Sequence, residues 1–448
     1  MHFVPFHSPF TKNCPDTILH QSHQRCNQLL NLTLHQIETS DWPAFVNESR
    51  ARLGGAANPT LMPAYYLYAV LPKIGGYGLT VQCHGQTCGY GFLFPRQMEG
   101  DTLVYTLRYH GLADAPPVDP DDLTRQTARL LTPHSQVIFY DPLTPKSYAP
   151  SHQIIDDLDL GRPDAEEAAD VRTIHRAVWN NPPEILYPVD MHSTEFALPT
   201  SLVARADGQT AGFLFGMTKF GGTELPTPWK ERLRHRVRLE SQTMGVLAAF
   251  RGRHIAFLLK QVQAQQALAR GIDVINWTAD PLQFPNAALN FTRLGAVAYE
   301  SQPDLYVFRN ELNRVAASRL NLTWLVGSER VQRILSGNQH TALVDLAGRP
   351  EIVRVNDGPA AARFDADAPT IAFEIPADWT GLQRSDLPQA QRWREATDQL
   401  FGHYLGSQIG RYMITGAGTD GERRYLVGQR VDEEFLESLC PISGSTKP

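Results

Sequence analysis

Apolar and polar positions along the chain fall into two runs of elements that follow the same order. In the first run, an apolar-periodic stretch from Trp42 to Leu53 predicts a helix. Strand-like runs follow at Leu79–Cys83, Cys88–Phe94 and Thr102–Tyr109. A helix over Asp121–Leu131 and a very apolar strand over Gln136–Tyr140 close that unit. Asp156 to Asp164 is acidic and marked by Gly and Pro, which reads as a linker. The second run opens with a helix over Ala165–Trp179, followed by strands at Ser201–Ala206, Ala211–Thr218 and, after a long basic connection, Val237–Val246. A helix then runs from about Gly252 to Arg270. Its Ile255, Leu258, Leu259, Val262 and Leu268 share a face, and Gly271 is placed to end it left-handed. The strand Asp273–Thr278 follows directly.

Two landmarks recur at corresponding places. Gly91-Phe92-Leu93-Phe94 returns as Gly212-Phe213-Leu214-Phe215, and Asp141-Pro142-Leu143 returns as Asp280-Pro281-Leu282. Matched landmarks in one order predict an internal duplication. The chain of 448 residues is too long for one core. It divides into an irregular extension over 1–33, a first unit over 34–155, a second over 156–311, and an α+β region over 312–448. In that last region strands are expected at Leu322–Val326, Glu351–Val355 and Thr370–Ile375, a helix at Leu387–Leu405, and a strand pair around Tyr412 and Tyr425. The fold class is therefore α/β (α+β), with mixed sheets flanked by helices.

Composition narrows the function. A formal charge of −6 carries no electrostatic footprint for nucleic acid. No apolar run reaches bilayer-spanning length, and the N-terminus lacks a secretory pattern, so a cytoplasmic protein with no membrane partner is expected. Five cysteines without a Cys-x-x-Cys pair suggest single thiols rather than a disulfide framework. Cys14, His20, His23 and Cys26 have the wrong order for a zinc finger and read as a polar leader, so no metal is expected.

The chemistry concentrates in Val246-Leu-Ala-Ala-Phe250-Arg251-Gly252-Arg253-His254-Ile255-Ala256, which leaves a strand, turns and enters a helix. Unpaired amides and the positive dipole end at a helix start suit a pyrophosphate. The segment resembles the acetyl-CoA motif of the GNAT acyltransferase superfamily, with Val246, Phe250, Arg251, Gly252, Ile255 and Ala256 at matching places. Downstream, Trp277-Thr-Ala-Asp280-Pro281-Leu282-Gln283 and the run from Asn286 to Ala296 resemble a branch of predicted acetyltransferases, as does Ala177-Val178-Trp179. That likeness spans about residues 160–310.

The resemblance implies a tandem GNAT-like fold with an incomplete first copy. It implies that the strands Val237–Val246 and Asp273–Thr278 splay apart to take the pantetheine arm of acetyl-CoA or another acyl-CoA. Met244 and Val246 would bond that arm, and amides from Arg251, Gly252, Arg253, His254, Ile255 and Ala256 would hold the pyrophosphate. The acceptor would be a small-molecule amine or a peptide, acylated by direct attack. Two departures stand out: His254 replaces a motif glycine, and Phe291 occupies the place of a tyrosine acid.

Glu240 is the candidate base; the other reading is a strand glutamate paired with Arg238 or Arg236. Asn286 either orients the thioester or acceptor, or caps the helix after Pro285. The basic run Lys230–Arg238 is either a phosphate contact or a solvated loop. The function so read is an N-acyltransferase. The rival is a non-catalytic acyl-CoA-binding or scaffolding protein.

Overall fold

The computed structural model describes residues 32–440, apart from 132, 223, 235, 307, 308, 311, 312 and 338–341. The Cys14, His20, His23 and Cys26 group lies outside them. A first sheet holds β1 (Leu32–Gln36), β2 (Tyr77–Cys83), β3 (Gln86–Glu99), β4 (Thr102–Gly111) and β5 (Ser135–Tyr140), in that order. All neighbours are antiparallel except β4 and β5, which run parallel. Helix α1 (Trp42–Arg52) covers one face, and α2 (Pro120–Leu130) connects β4 to β5.

The second sheet begins with a hairpin of β6 (Gln153–Ile155) and β7 (Leu158–Gly161). This corrects the linker expected there. Leu158 and Leu160 are buried at 1% and 0% exposure, the period-two signal of a strand, which the acidic residues around them mask. Helix α3 (Ala165–Trp179) starts on a capping box made by Asp164 and Glu167. Then come β8 (Thr200–Ala206), β9 (Gln209–Lys219), the short α4 (Thr227–Arg232) and β10 (Arg238–Val246). Trp229 is fully buried, so part of the basic run is anchored in a core. Helix α5 (Ile255–Ala269), β11 (Val274–Ala279), the one-turn α6 (Phe284–Ala287), β12 (Val297–Tyr306) and β13 (Ala317–Leu325) complete the unit.

The strand order is β6-β7-β8-β9-β10-β11-β13-β12, and the sheet continues from β12 into Tyr412–Asp420, Arg423–Arg430 and Thr370–Ile375. The C-terminal strands thus extend the second sheet. β12 was not anticipated, because Pro303 cannot donate to a ladder and the β12–β13 register shifts between Gln302 and Tyr306.

The two recurring tetrapeptides meet in one core. Phe92, Phe94, Phe213 and Phe215 share a buried cluster with Tyr66 and Ile174, while Leu93 and Leu214 point away into separate clusters. Alternation along each strand aims both phenyl rings inward and the leucine at its own unit's outer layer. The Asp-Pro-Leu landmarks also form one turn twice: Asp141 Oδ1 accepts from the Leu143 amide at 2.8 Å, and Asp280 Oδ1 from the Leu282 amide at 3.0 Å.

Cys83 and Cys88 are joined in a disulfide across the β2–β3 hairpin, which corrects the expectation of single thiols; Cys440 is free and buried. No helix among the described residues is long and apolar enough to cross a membrane.

Candidate functional site

The parallel strands β10 and β11 pair at Leu239–Ile275 and Glu240–Asn276 and then separate. On its other side β10 stays paired with β9, with a bulge between Ser241 and Thr243 that leaves Gln242 as the extra residue. Past the last pair, the edges from Ser241 to Val246 and from Trp277 to Ala279 face a cleft of about 1130 Å³. Backbone donors and acceptors along an opened strand pair require partners. An extended ligand with amide groups would supply them.

Of the residues expected at the site, Glu240, Met244, Val246, Arg251, Ala256 and Asn286 line this cleft. Gly252, Arg253, His254 and Ile255 do not. The Arg253 guanidinium bonds Asp207 at 2.9 Å and Asp157 at 2.7 Å, on the β7–β8 side. The Ile255 side chain is buried in the core beneath β9 and β10. His254 is not helical, as expected, but left-handed at φ 61°, and α5 begins after it. Gly252 is left-handed too, at φ 86°. These two residues bend the chain sharply between strand and helix. No side chain caps α5, so the amides of its first turn are left to other partners.

Glu240 pairs with Lys219 of β9, Nζ to Oε2 at 2.8 Å, rather than with Arg236 or Arg238. Asn286 sits within α6 and caps nothing; Gln283 holds the cap position. Phe291 is 2% exposed and packs in the core with Trp277 and Leu294.

Several cleft residues escaped the sequence reading. Lys260 of α5 is buried, donates to Ser241 Oγ at 2.7 Å, and lies 3.7 Å from the centre of the Trp277 ring. Its place on an otherwise apolar face was the available signal. Burial pushes its ammonium down to about 7, with Glu240 opposing the shift. Tyr187 accepts from Gln242 Nε2 at 2.7 Å, and the Tyr306 hydroxyl meets Thr278 Oγ1 at 2.8 Å. Glu300 also lines the cleft, and its buried Oε2 has no hydrogen-bond partner. At the far end Asp280 binds Arg394 at 2.9 Å and Arg319 at 3.4 Å. Burial resists ionisation of Asp280, but the two guanidinium groups outweigh it and hold the carboxyl below its usual range. Tyr65, Ala69, Val70 and Lys73 of the first unit roof the cleft. His175 also lines it, pushed down to about 4 by burial and Arg172.

The described residues form a mixed α/β arrangement with an opened parallel strand pair. No family model and no curated protein matches the chain. Among solved structures it is similar to a GNAT-family acetyltransferase from Streptococcus pneumoniae, at 16% identity over 37% of this chain and 97% of that one, TM-score 0.29. It is similar to the diaminobutyrate acetyltransferase of Paenibacillus lautus, solved with L-2,4-diaminobutyric acid and coenzyme A, at 15% identity over 38% and 95%, TM-score 0.27. A third likeness is to a GNAT-family acetyltransferase of Brucella melitensis in complex with acetyl-CoA, at 22% identity over 29% and 80%, TM-score 0.22.

Proposed function

We propose that the chain transfers an acetyl or similar acyl group from acyl-CoA to an amine by direct attack on the thioester. The observation that carries this reading is the β10–β11 pair, which opens after two residue pairs into a cleft ending at the uncapped start of α5. The pantetheine arm lies along the opened edges of β10 and β11 as a substitute strand. Its pyrophosphate takes the amides of the first turn of α5, with Arg251 supplying charge from the cleft wall.

The thioester then comes to the closed end of the gap, beside the bulge at Gln242. The acceptor lies on the sheet face that carries Glu240, Thr278 and Glu300, under the roof from the first unit. Glu240 takes the proton from the attacking ammonium, directly or through one water. Its pairing with Lys219 fixes the carboxylate in place.

Two measurements test the reading. Calorimetric titration with CoA is expected to show binding, and acetyl-CoA turnover against an amine panel is expected to release thiol. CoA binding without turnover on any amine would favour the scaffolding alternative. Absence of CoA binding would sink the placement itself.

A further inference from the structure

We propose that Lys260 is the catalytic acid that protonates the coenzyme A sulfur as the thioester breaks. This rests on the acyl-transfer reading of the cleft. Direct attack on a thioester leaves a thiolate, and a buried thiolate needs a proton or a cation. Phe291 offers neither, and its ring is packed in the core.

Lys260 stands where the need arises. Strand pairing stops at Glu240 and Asn276, so Ser241 and Trp277 are the first residues past the closed end of the gap. The Lys260 ammonium touches both: Ser241 Oγ at 2.7 Å and the Trp277 ring at 3.7 Å from its centre. A substitute strand entering from the start of α5 ends at this point, with its sulfur foremost. Gln263 Oε1, at 3.3 Å, is the remaining hydrogen-bond partner found for Lys260. Lys260 makes no ion pair within 4.0 Å among the described residues. Of the charged groups on the strands packed against it, Glu240 of β10 acts on it through space from the other face of the sheet, and Lys219 of β9 holds that carboxylate. A desolvated ammonium without a counter-ion favours a thiolate beside it.

Burial brings this ammonium to about 7, a value suited to giving up a proton near neutral pH. Tyr65, Tyr187 and Tyr306 also bring hydroxyls to the space; burial pushes those of Tyr65 and Tyr187 up, and Tyr306 is placed differently. It bonds Thr278, which projects from the opposite face of β11 to Trp277, on the acceptor side.

The step balances as follows. The neutral amine forms the C–N bond while the C–S bond breaks, and the electron pair of that bond goes to sulfur. Lys260 gives sulfur its proton and is left neutral; Glu240 holds the proton that freed the amine, and the second N–H proton, acidic once the C–N bond has formed, leaves through water. Solvent restores Lys260 and clears Glu240, so no net proton is gained or lost at the protein.

The test needs no knowledge of the acceptor. CoA is bound at saturation to the wild type, to Lys260→Met and to Lys260→Gln, and its thiol is titrated by the ultraviolet absorbance of the thiolate. In the wild type the bound thiol is expected to titrate at least about one pKa unit lower than in either variant, a tenfold difference in acidity. CoA affinity is expected to change less than about threefold, since the pyrophosphate contacts are untouched. Both substitutions remove a buried charge at similar volume, and melting curves check that the fold survives. Equal thiol titration in all three proteins at matched CoA affinity would overturn the assignment. If the wild type binds no CoA, the acyl-transfer reading falls first, and that outcome is distinct.

Discussion

Glu240 and Lys219 form a pair at 2.8 Å with side chains only 14% and 9% exposed, so a change at either residue is felt twice. Glu240→Gln removes the base and leaves a buried ammonium without its counter-charge. The expected result is a fall in kcat of about 10²-fold or more, with CoA affinity retained and the acid limb of the pH–rate profile lost. A stability cost of about 1–3 kcal/mol should accompany it. Restoring stability with Lys219→Met in the double variant, without restoring turnover, would separate the two effects. An unchanged profile would return Glu240 to a structural role. Lys260 gives a stability prediction of opposite character. Its folded value is about 7 and its ordinary value 10.5, so between those limits the unfolded chain binds the extra proton. Stability therefore rises with pH across that window, and the full penalty is present below it. Urea unfolding is expected to show Lys260→Met more stable than the wild type at pH 7, with the gap closing toward pH 10. A gap that does not depend on pH would contradict the burial argument.

At the scale of elements, the turn between β10 and α5 decides how the anion site is tested. A Cβ added at Gly252 meets nothing within 4 Å, but the φ of 86° resists any L-residue. Gly252→Val would therefore strain the turn whether or not a phosphate sits there, by about 1–2 kcal/mol. Gly252→Asn tolerates that conformation better and is the cleaner probe; it is expected to keep CoA affinity within a few-fold while Val lowers it. His254→Gly should relieve strain and raise stability by about 1 kcal/mol, read from melting curves, with CoA affinity unchanged or improved. Most elements were legible from periodicity alone: α3 begins and ends at the residues expected, and β10, β11 and α5 fall within three residues at each end. The motif around Arg251 pointed to the turn that borders the cleft, because a strand, a glycine turn and a helix start follow from local sequence. The cleft floor was not legible. Lys260 of α5, Glu300 and Tyr306 of β12, and Tyr187 from the segment between α3 and β8 converge across the sheet, and apart from the place of Lys260 on an apolar face nothing local marks them for those contacts. The left-handed His254 was missed because one positive-φ residue just before a helix leaves the apolar periodicity unchanged; its exposed ring meets Arg293 at 3.1 Å.

At the scale of the molecule, the two units share an order of elements but differ where it matters for a cofactor. In the first, β4 and β5 pair along six residues, Leu103–Arg108 against Ser135–Tyr140, so the two strands stay closed. In the second, the corresponding pair closes over two residues and opens. The helix starts differ as well. α2 is capped by Asp119, whose carboxylate accepts from the amides of Asp121 and Asp122 at 2.8 Å and 3.3 Å. The capping acid is thus Asp119, not Asp121 or Asp122, which add negative charge to the first turn. Three carboxylates at one helix start repel a diphosphate, while the start of α5 has no acidic residue in its first turn. The internal duplication expected from the sequence would account for the shared landmarks and for the facing phenylalanine pairs. The prediction is one CoA per chain. Calorimetric titration is expected to give a stoichiometry of one, unchanged by Asp119→Ala, because uncapping α2 frees amides but does not open the strands beside them. That substitution should cost about 1 kcal/mol of stability through the lost cap. Two equivalent sites in the wild type, or a second site appearing in Asp119→Ala, would show that strand closure does not exclude the cofactor.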